Sequence, residues 1–195
     1  MKRTRLWAGL AAAAAVATGV TVWAIQSPST EPSESKAVSA TQTKKEAEAL
    51  MQSALQRQMH QDTVGAAQDY RRVLELDPRS TRAWYGLGVI DQQMGKTVNA
   101  RAEFERALEI DPHFISALFS EATLLRSSDP ERAIELMKRA VTEEPKATAI
   151  RLQLGLLLAE KGRESEAEET FRGAVAVDPK VVAQVPEEYR DAVNR

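Results

Sequence analysis

Four prolines divide a helical pattern of apolar and small residues at nearly equal distances. The intervals between them are 34, 33 and 34 residues, and the prolines are Pro78, Pro112, Pro145 and Pro179. Each follows an acidic residue and ends a similar stretch, such as "RVLELDP" or "RALEIDP". Because the residue before a proline resists the α conformation, each proline marks the end of a helix. The pattern predicts four repeats, at about 47–80, 81–114, 115–147 and 148–181.

Small residues at fixed places predict two antiparallel helices in each repeat. They occupy the eighth, twentieth and twenty-seventh places, as Ala54, Gly88, Ala122 and Gly155, then Ala66, Ala100, Ala133 and Ala167, then Val73, Ala107, Ala140 and Ala174. The twenty-fourth place holds a large side chain, as Tyr70, Phe104, Met137 and Phe171. Two helices approach to about 8 Å only where small residues line their crossing, and a large side chain then fills the space beside it.

The turn inside each repeat carries its own signals. Gly95 and Gly162 fall where a first helix should end, and glycine readily takes the left-handed conformation that closes a helix. The third repeat is one residue shorter here. It offers Asp129 as N-cap and Pro130 as the first residue of the second helix.

These residues resemble the tetratricopeptide repeat (TPR), whose pattern is W-x2-L-G-x2-Y, A-x3-F-x2-A and a closing proline. The second repeat matches at Trp84, Leu87, Gly88, Ala100, Phe104, Ala107 and Pro112, and the fourth at Leu154, Gly155, Ala167, Phe171, Ala174 and Pro179. Asp91 departs from the usual tyrosine, and Ser53 and Glu121 depart from the usual leucine. The resemblance covers about 135 residues. It implies an all-α fold, a right-handed α-solenoid of about four helix-turn-helix repeats.

The resemblance also implies a concave groove lined by the first helix of each repeat. Its inward places hold the apolar or small residues Met51, Leu55, Tyr85, Val89, Phe119, Thr123, Leu152 and Leu156, flanked by the polar residues Arg82, Gln92, Gln93, Arg126 and Gln153. Such a surface suits an amphipathic helix or an extended apolar segment of a partner protein. The alternative is that these side chains pack against neighbouring helices or the C-terminal tail.

Residues 1–26 have the pattern of a membrane anchor. Three basic residues precede the uncharged run 6–25, which as a helix is about 30 Å long and matches a bilayer core. Trp7 and Trp23 lie near its two ends. The charge bias predicts a single-pass protein with a cytoplasmic N-terminus and extracytoplasmic repeats. Cleavage near Ala24 is the alternative and would give a secreted or periplasmic protein, and a buried soluble helix is the third interpretation.

The segments that flank the repeats have different compositions. Residues 27–43 are rich in Ser, Thr, Pro and Glu, which predicts a flexible linker. Thr43 and Glu46 then form a capping box that should begin the first helix of a TPR domain over 44–181. Residues 182–195 should cap the far end, because a solenoid needs a terminal piece that covers its last apolar face.

The chain offers little chemistry for catalysis. It has no cysteine, two histidines in different repeats and a net charge of −2. We therefore expect no enzyme activity, no cofactor, no metal site and no nucleic-acid partner. "GKT" at 95–97 lacks the first glycine of a phosphate-binding loop, so it is interpreted as a helix-closing turn. The sequence favours a non-enzymatic interaction scaffold or assembly factor at the cell envelope. The alternative is a self-associating module, a homo-oligomer whose groove is filled by its own linker, its tail or another copy.

Overall fold

The computed structural model describes residues 32–193, with side chains from residue 39 onward, and this part of the chain is helical without strands. The helices are α1 Pro32–Met59, α2 Thr63–Leu76, α3 Thr81–Gln93, α4 Thr97–Ile110, α5 Ile115–Leu125, α6 Pro130–Glu143, α7 Thr148–Glu160, α8 Glu164–Val177 and α9 Glu187–Val193, with a 3₁₀ helix at Pro179–Gln184. Consecutive helices pair as α1–α2, α3–α4, α5–α6 and α7–α8, and each pair packs on the next. The predicted all-α solenoid of four TPR-type repeats is confirmed.

Small residues lie at every predicted helix crossing. The alanines at the eighth, twentieth and twenty-seventh places are all 0% exposed, and the large residues of the twenty-fourth place are at most 1% exposed. A Cβ added to Gly88 would lie 2.5 Å from the Phe104 ring, and one added to Gly155 would lie 2.5 Å from the Phe171 ring. The aromatic ring therefore fills the space that the glycine leaves open, as the sequence predicts.

The turns within the repeats also follow the sequence. Gly95 and Gly162 have φ angles of +72° and +70°, so both close a first helix in the left-handed conformation. In the third repeat, a carboxylate oxygen of Asp129 accepts a hydrogen bond from the Arg132 amide at 3.1 Å, and Pro130 begins α6. These three predictions are confirmed.

The acidic residue before each repeat-closing proline organises the turn between repeats. Its carboxylate accepts a hydrogen bond from the backbone amide two residues further on, at 3.0 Å from Arg79 to Asp77 and at 3.2 Å from Lys146 to Glu144. Asp111 and Asp178 make the same contact at 3.0 Å. The regular series of acids is therefore a set of turn-forming groups.

The beginning of α1 differs from the prediction. The helix starts at Pro32, so the predicted coil is wrong for residues 32–43, and the predicted capping box is wrong as well. Thr43 lies inside the helix and donates its hydroxyl to the Ser39 carbonyl at 3.0 Å. Proline is well suited to the first position of a helix, and no further proline or glycine follows before Gly65. Because α1 has 28 residues and its antiparallel partner α2 has 14, about 21 Å of α1 extends beyond α2, at 1.5 Å per residue.

The C-terminal segment packs on α8. Both the 3₁₀ helix and α9 contact that helix, and Val185 is 0% exposed. The ring of Tyr189 lies 5.2 Å from the ring of Phe171. The C-terminal segment thus covers the last apolar face of the solenoid.

The predicted N-terminal anchor, 1–26, lies outside the described residues. Within 32–193, no helix is both long enough and apolar enough to cross a bilayer.

Candidate functional site

A pocket of about 340 Å³ opens between α1 and α3, the first helices of repeats one and two. Because both helices run antiparallel to α2, they are parallel to each other and form the two walls of a groove. The lining residues are Met51, Leu55, Gln58, Tyr70, Arg82, Tyr85, Gly86, Val89 and Phe114. Five of the predicted groove residues, Met51, Leu55, Arg82, Tyr85 and Val89, are therefore brought together here. We call this cavity the N-terminal pocket.

Apolar side chains of α1 run along one wall of the N-terminal pocket. Met51 is 4% exposed and lies deep in the groove, whereas Leu55 is 46% exposed at its surface. Met59 follows one turn later and is 85% exposed. Burying these side chains against a partner would remove apolar surface from water, at about 25 cal/mol for each Å².

Aromatic contacts hold the opposite wall. The ring of Tyr85 packs edge-on against Phe114, with 5.3 Å between centroids, and lies 5.8 Å from Phe104. Tyr70 supplies the floor through its close approach to Gly86, and its hydroxyl donates a hydrogen bond to Gln58 at 3.0 Å. These contacts fix the shape of the pocket without a bound partner.

The groove becomes polar towards the start of α3. A smaller cavity of about 110 Å³ adjoins the N-terminal pocket and shares Met51 and Arg82 with it. Its remaining lining residues are Lys44, Ala47, Glu48, Val73, Asp77 and Ser80. An occupant would therefore meet charged groups at this end of the groove and apolar groups at the other.

In the middle of the predicted groove, the side chains form hydrogen bonds and ion pairs with other groups of the protein. Thr123 donates its hydroxyl to the Phe119 carbonyl at 2.8 Å. Arg126 pairs with Glu160 at 2.9 Å and donates to Gln153 at 3.4 Å. Phe119 is half-buried against the core. Gln92 is half-buried and lines neither of the larger pockets described here, whereas Gln93 is exposed.

A second pocket of about 300 Å³ lies at the other end of the groove. It includes the predicted residues Leu152, Gln153 and Leu156 on α7, and Leu152 is 4% exposed. Its other lining residues are Thr148, Ala149, Asp178, Val181 and Gln184, of which the last two belong to the C-terminal segment. The structure thus divides the predicted stripe into two pockets with a self-bonded stretch between them.

Sequence reasoning missed several pocket residues. Phe114 belongs to the turn between α4 and α5, and Val181 belongs to the terminal segment, so a pattern drawn only from first helices omits both. Gly86 could have been found from the sequence. A glycine inside a helix lowers stability, so its presence indicates that another group occupies the space of its missing side chain. Tyr70 occupies that space.

Ionisable groups are sparse in both pockets. Among residues 32–193, no group of three or more His, Cys, Asp or Glu residues is placed to hold a metal ion. Burial and the nearby Asp91 carboxylate raise the pKa of Glu103 to about 7, but this residue lines neither pocket. The geometry therefore supports non-covalent binding of an apolar segment.

Comparison with solved structures identifies the same architecture. A crystal structure of MamA protein superposes with a TM-score of 0.63 at 19% identity, covering 76% of this chain and 86% of that one. YrrB, described as a TPR protein with an unusual peptide-binding site, gives 0.65 at 24% identity over 82% and 86%. PilF of Pseudomonas aeruginosa gives 0.65 at 23% identity over 78% and 69%. These identities establish the fold alone.

The sequence itself carries the family signature. No curated protein matches it significantly. The family profile described as tetratricopeptide repeat matches residues 58–119 and 124–191, which together are well over half of the chain. With four helix pairs in register, this match shows that the chain belongs to the tetratricopeptide repeat family.

Proposed function

We propose that this protein is a non-enzymatic scaffold of the cell envelope that binds an apolar segment of a partner protein in its concave groove. The observation that carries the proposal is the N-terminal pocket, which is open and apolar and has Leu55 46% exposed at its rim. Isolated exposed apolar side chains are common, but a contiguous apolar surface in a cleft is typical of an interaction site.

The TPR fold suits this role, because such repeats generally serve as scaffolds for protein partners. A structural neighbour, YrrB, is described as having a peptide-binding site. In the present chain, α1 and α3 form parallel walls whose groove-facing residues recur at helical spacing, as in Met51 and Leu55 or Tyr85 and Val89. A partner helix laid between them would complete a three-helix arrangement, so we favour an amphipathic helix over an extended strand.

The envelope location rests on the N-terminal sequence. The basic start, the uncharged run 6–25 and the two tryptophans support a single-pass anchor with the repeats outside the cytoplasm. Fractionation followed by protease treatment of spheroplasts, from which the outer envelope has been removed, tests this part. We expect the repeats to remain with the membrane and to be digested without lysis. Protection in spheroplasts together with digestion after lysis would contradict the orientation.

Groove binding is tested by photo-cross-linking from position 55 in the full-length protein in its native cells. We expect capture of a specific partner from this position and little capture from Gln56, which is exposed on the same helix and lines neither pocket. A Leu55→Glu variant should lose the partner while keeping its helical circular dichroism, because a charge would then lie in the apolar pocket. Gln56→Glu is the matched control.

The outcome distinguishes a scaffold from a self-associating module. Cross-links between two copies of the chain, together with concentration-dependent size in sedimentation, would replace the scaffold by self-association. Equal co-purification of the partner with Leu55→Glu and with the unchanged protein would contradict groove binding altogether.

A further inference from the structure

The turn between α4 and α5 carries one wall of the N-terminal pocket and is held from outside by α6. Phe114 of this turn packs against Tyr85 in the pocket. Arg139 of α6 donates a hydrogen bond to the Pro112 carbonyl at 2.7 Å. Beside it, Nδ1 of His113 lies 2.7 Å from a carboxylate oxygen of Glu143, also on α6. Phe114 itself packs against the core and caps α5, and these two polar contacts to α6 help to hold the turn that carries it.

Glu121 lies in α5, the helix that follows this turn, and its side chain is almost completely buried. We call α5 and the α4–α5 turn together the joint. Glu121 is 1% exposed, and its Oε2 has no hydrogen-bond partner among the described residues. The family pattern has leucine at this place. An ionised carboxylate in such a setting loses its hydration and gains no hydrogen bond at this oxygen, so burial favours the neutral form.

Several charged groups face Glu121, but each arginine among them is bonded elsewhere. From α4 these groups are Arg101 and Glu105, and from α6 they are Arg132 and Arg139. Arg101 donates a hydrogen bond to Glu105 at 2.8 Å, and Arg132 donates one to Glu135 at 3.2 Å. Arg139 donates its hydrogen bond to the Pro112 carbonyl. The third neighbour, α3, meets this joint through the aromatic ring of Tyr85. None of these hydrogen bonds goes to Glu121, so the arginines act on its carboxylate only through their charge.

Both titratable groups of the joint hold their protons more tightly in the folded protein. Burial raises the pKa of Glu121, and the three arginines oppose this effect only in part. The hydrogen bond and charge of Glu143 raise the pKa of His113; Asp111 adds to this effect and Arg139 opposes it. A rise in pH thus places a charge on buried Glu121 and removes one from His113, and both changes weaken the joint.

We propose that α5 and the α4–α5 turn form a pH-sensitive joint, which fixes Phe114 as a wall of the N-terminal pocket while Glu121 is neutral and His113 is charged, and releases it as the pH rises. Ionised Glu121 competes with the Pro112 carbonyl for Arg139, while neutral His113 loses its ion pair with Glu143. The turn that carries Phe114 then loses its polar contacts to α6 and is held by packing alone. The link to partner binding rests on the proposed function, whereas the movement of Phe114 does not.

Buried apolar side chains form two clusters that meet near this joint. One cluster extends from Met51 to Ile90, and the other begins at Ala107 and continues to the C-terminal segment. Tyr85 of α3 packs against the second cluster and against Phe104, so apolar contact continues between them. Asp91 and Glu121 are the buried charged residues of the described chain.

Fluorine NMR of the full-length protein labelled with 4-fluorophenylalanine tests the joint without any partner. The sequence contains four phenylalanines, so four signals are expected. Phe114→Leu assigns the relevant signal, and Phe171 in the fourth repeat serves as an internal reference. Between pH 5.5 and pH 8 we expect the Phe114 signal to shift or broaden while that of Phe171 stays constant. Amide exchange in α5, corrected for intrinsic rates, should rise by at most about tenfold per pH unit for each proton released.

Matched variants decide the cause. The double variant Glu121→Gln with His113→Asn should leave the Phe114 signal independent of pH. Glu131→Gln and His60→Asn make the same chemical changes at exposed positions and should keep the full response. If the double variant fails to fold, Glu121→Leu restores the family residue and should lose most of the response. A pH-independent Phe114 signal in the unchanged protein, or an unaltered response in the Glu121 variants, would overturn the proposal, whichever partner occupies the groove.

Discussion

The ring of Tyr70 fills the space beside Gly86, so closely that a Cβ at position 86 would lie 2.4 Å from the ring carbon Cζ. Tyr70 belongs to the second helix of repeat one, and Gly86 belongs to the first helix of repeat two. Their contact joins the two repeats and at the same time builds the floor of the N-terminal pocket. Stability and groove shape therefore depend on the same pair.

Replacing Gly86 with alanine should destabilise the protein. The added methyl group overlaps the ring, and overpacking of this kind costs about 1–3 kcal/mol. Better helix propensity should offset about 0.5–1 kcal/mol of that loss. Urea unfolding followed by circular dichroism measures the net change. Gly173→Ala is the control, because its methyl group would meet only the movable end of the Arg151 side chain. Equal effects of the two changes would contradict the packing described for Tyr70.

Enlarging Ala133 to leucine should overpack the crossing of α5 and α6. Ala133 is 0% exposed, so the larger side chain has no room and should cost about 1–3 kcal/mol. Ala176→Leu makes the same change at an exposed position of α8 and should be nearly neutral. Thermal melting compares the two variants. An unchanged melting temperature for Ala133→Leu would show that this alanine does not line a helix crossing.

Glu103 should make the stability of the protein depend on pH near neutrality. Its folded-state pKa of about 7 lies above the unfolded value near 4.5, chiefly because of burial and then because of Asp91. A raised carboxyl pKa means that the folded state binds the extra proton, so stability is lost as the pH rises through 7. We expect the free energy of unfolding to fall by on the order of 1–2 kcal/mol between pH 5 and pH 8 through this group.

The variant Glu103→Gln isolates that contribution. Its urea midpoint should vary less with pH than that of the unchanged protein, whereas Glu109→Gln, at an exposed position of the same helix, should leave the dependence as it is. If the two variants and the unchanged protein show the same pH profile, Glu103 is not the group responsible.

Removing residues 179–195 should strongly destabilise the fourth repeat. The deletion uncovers Phe171 and removes the buried Val181, Val185 and Val193. Burial of one such valine contributes roughly 1.5 kcal/mol, so the total loss should reach several kcal/mol and α8 should fray. Hydrogen exchange resolved along the chain would locate the loss, and deletion of only the last two residues is the control. Unchanged protection of α7 and α8 would contradict a capping role.

Much of the fold was predictable because helix crossings restrict side-chain size. Ala100, Ala133 and Ala167 recur at a period that few other architectures produce, and the structure buries all three completely. The start of α1 was not predictable in the same way. Serine, threonine and glutamate suit both coil and helix, so composition alone favoured a linker where the chain is helical.

The candidate site was predictable in its location and less so in its shape. The family pattern indicates which residues of a first helix point inward, and five of them do meet in one pocket. It says nothing about Phe114, which reaches the pocket from a turn. It also says nothing about the ion pair between Arg126 of the third repeat and Glu160 of the fourth. Such contacts depend on the curvature of the whole stack, which no short sequence window contains.

The overhang of α1 has a mechanical consequence. A flexible tether lets the domain it holds tumble and sample every direction, whereas a helical rod transmits both distance and angle. The first turns of α1 extend past the body of the repeats as a continuation of the helix that forms a wall of the groove. Whatever holds the start of this rod therefore also sets the direction in which the binding face points.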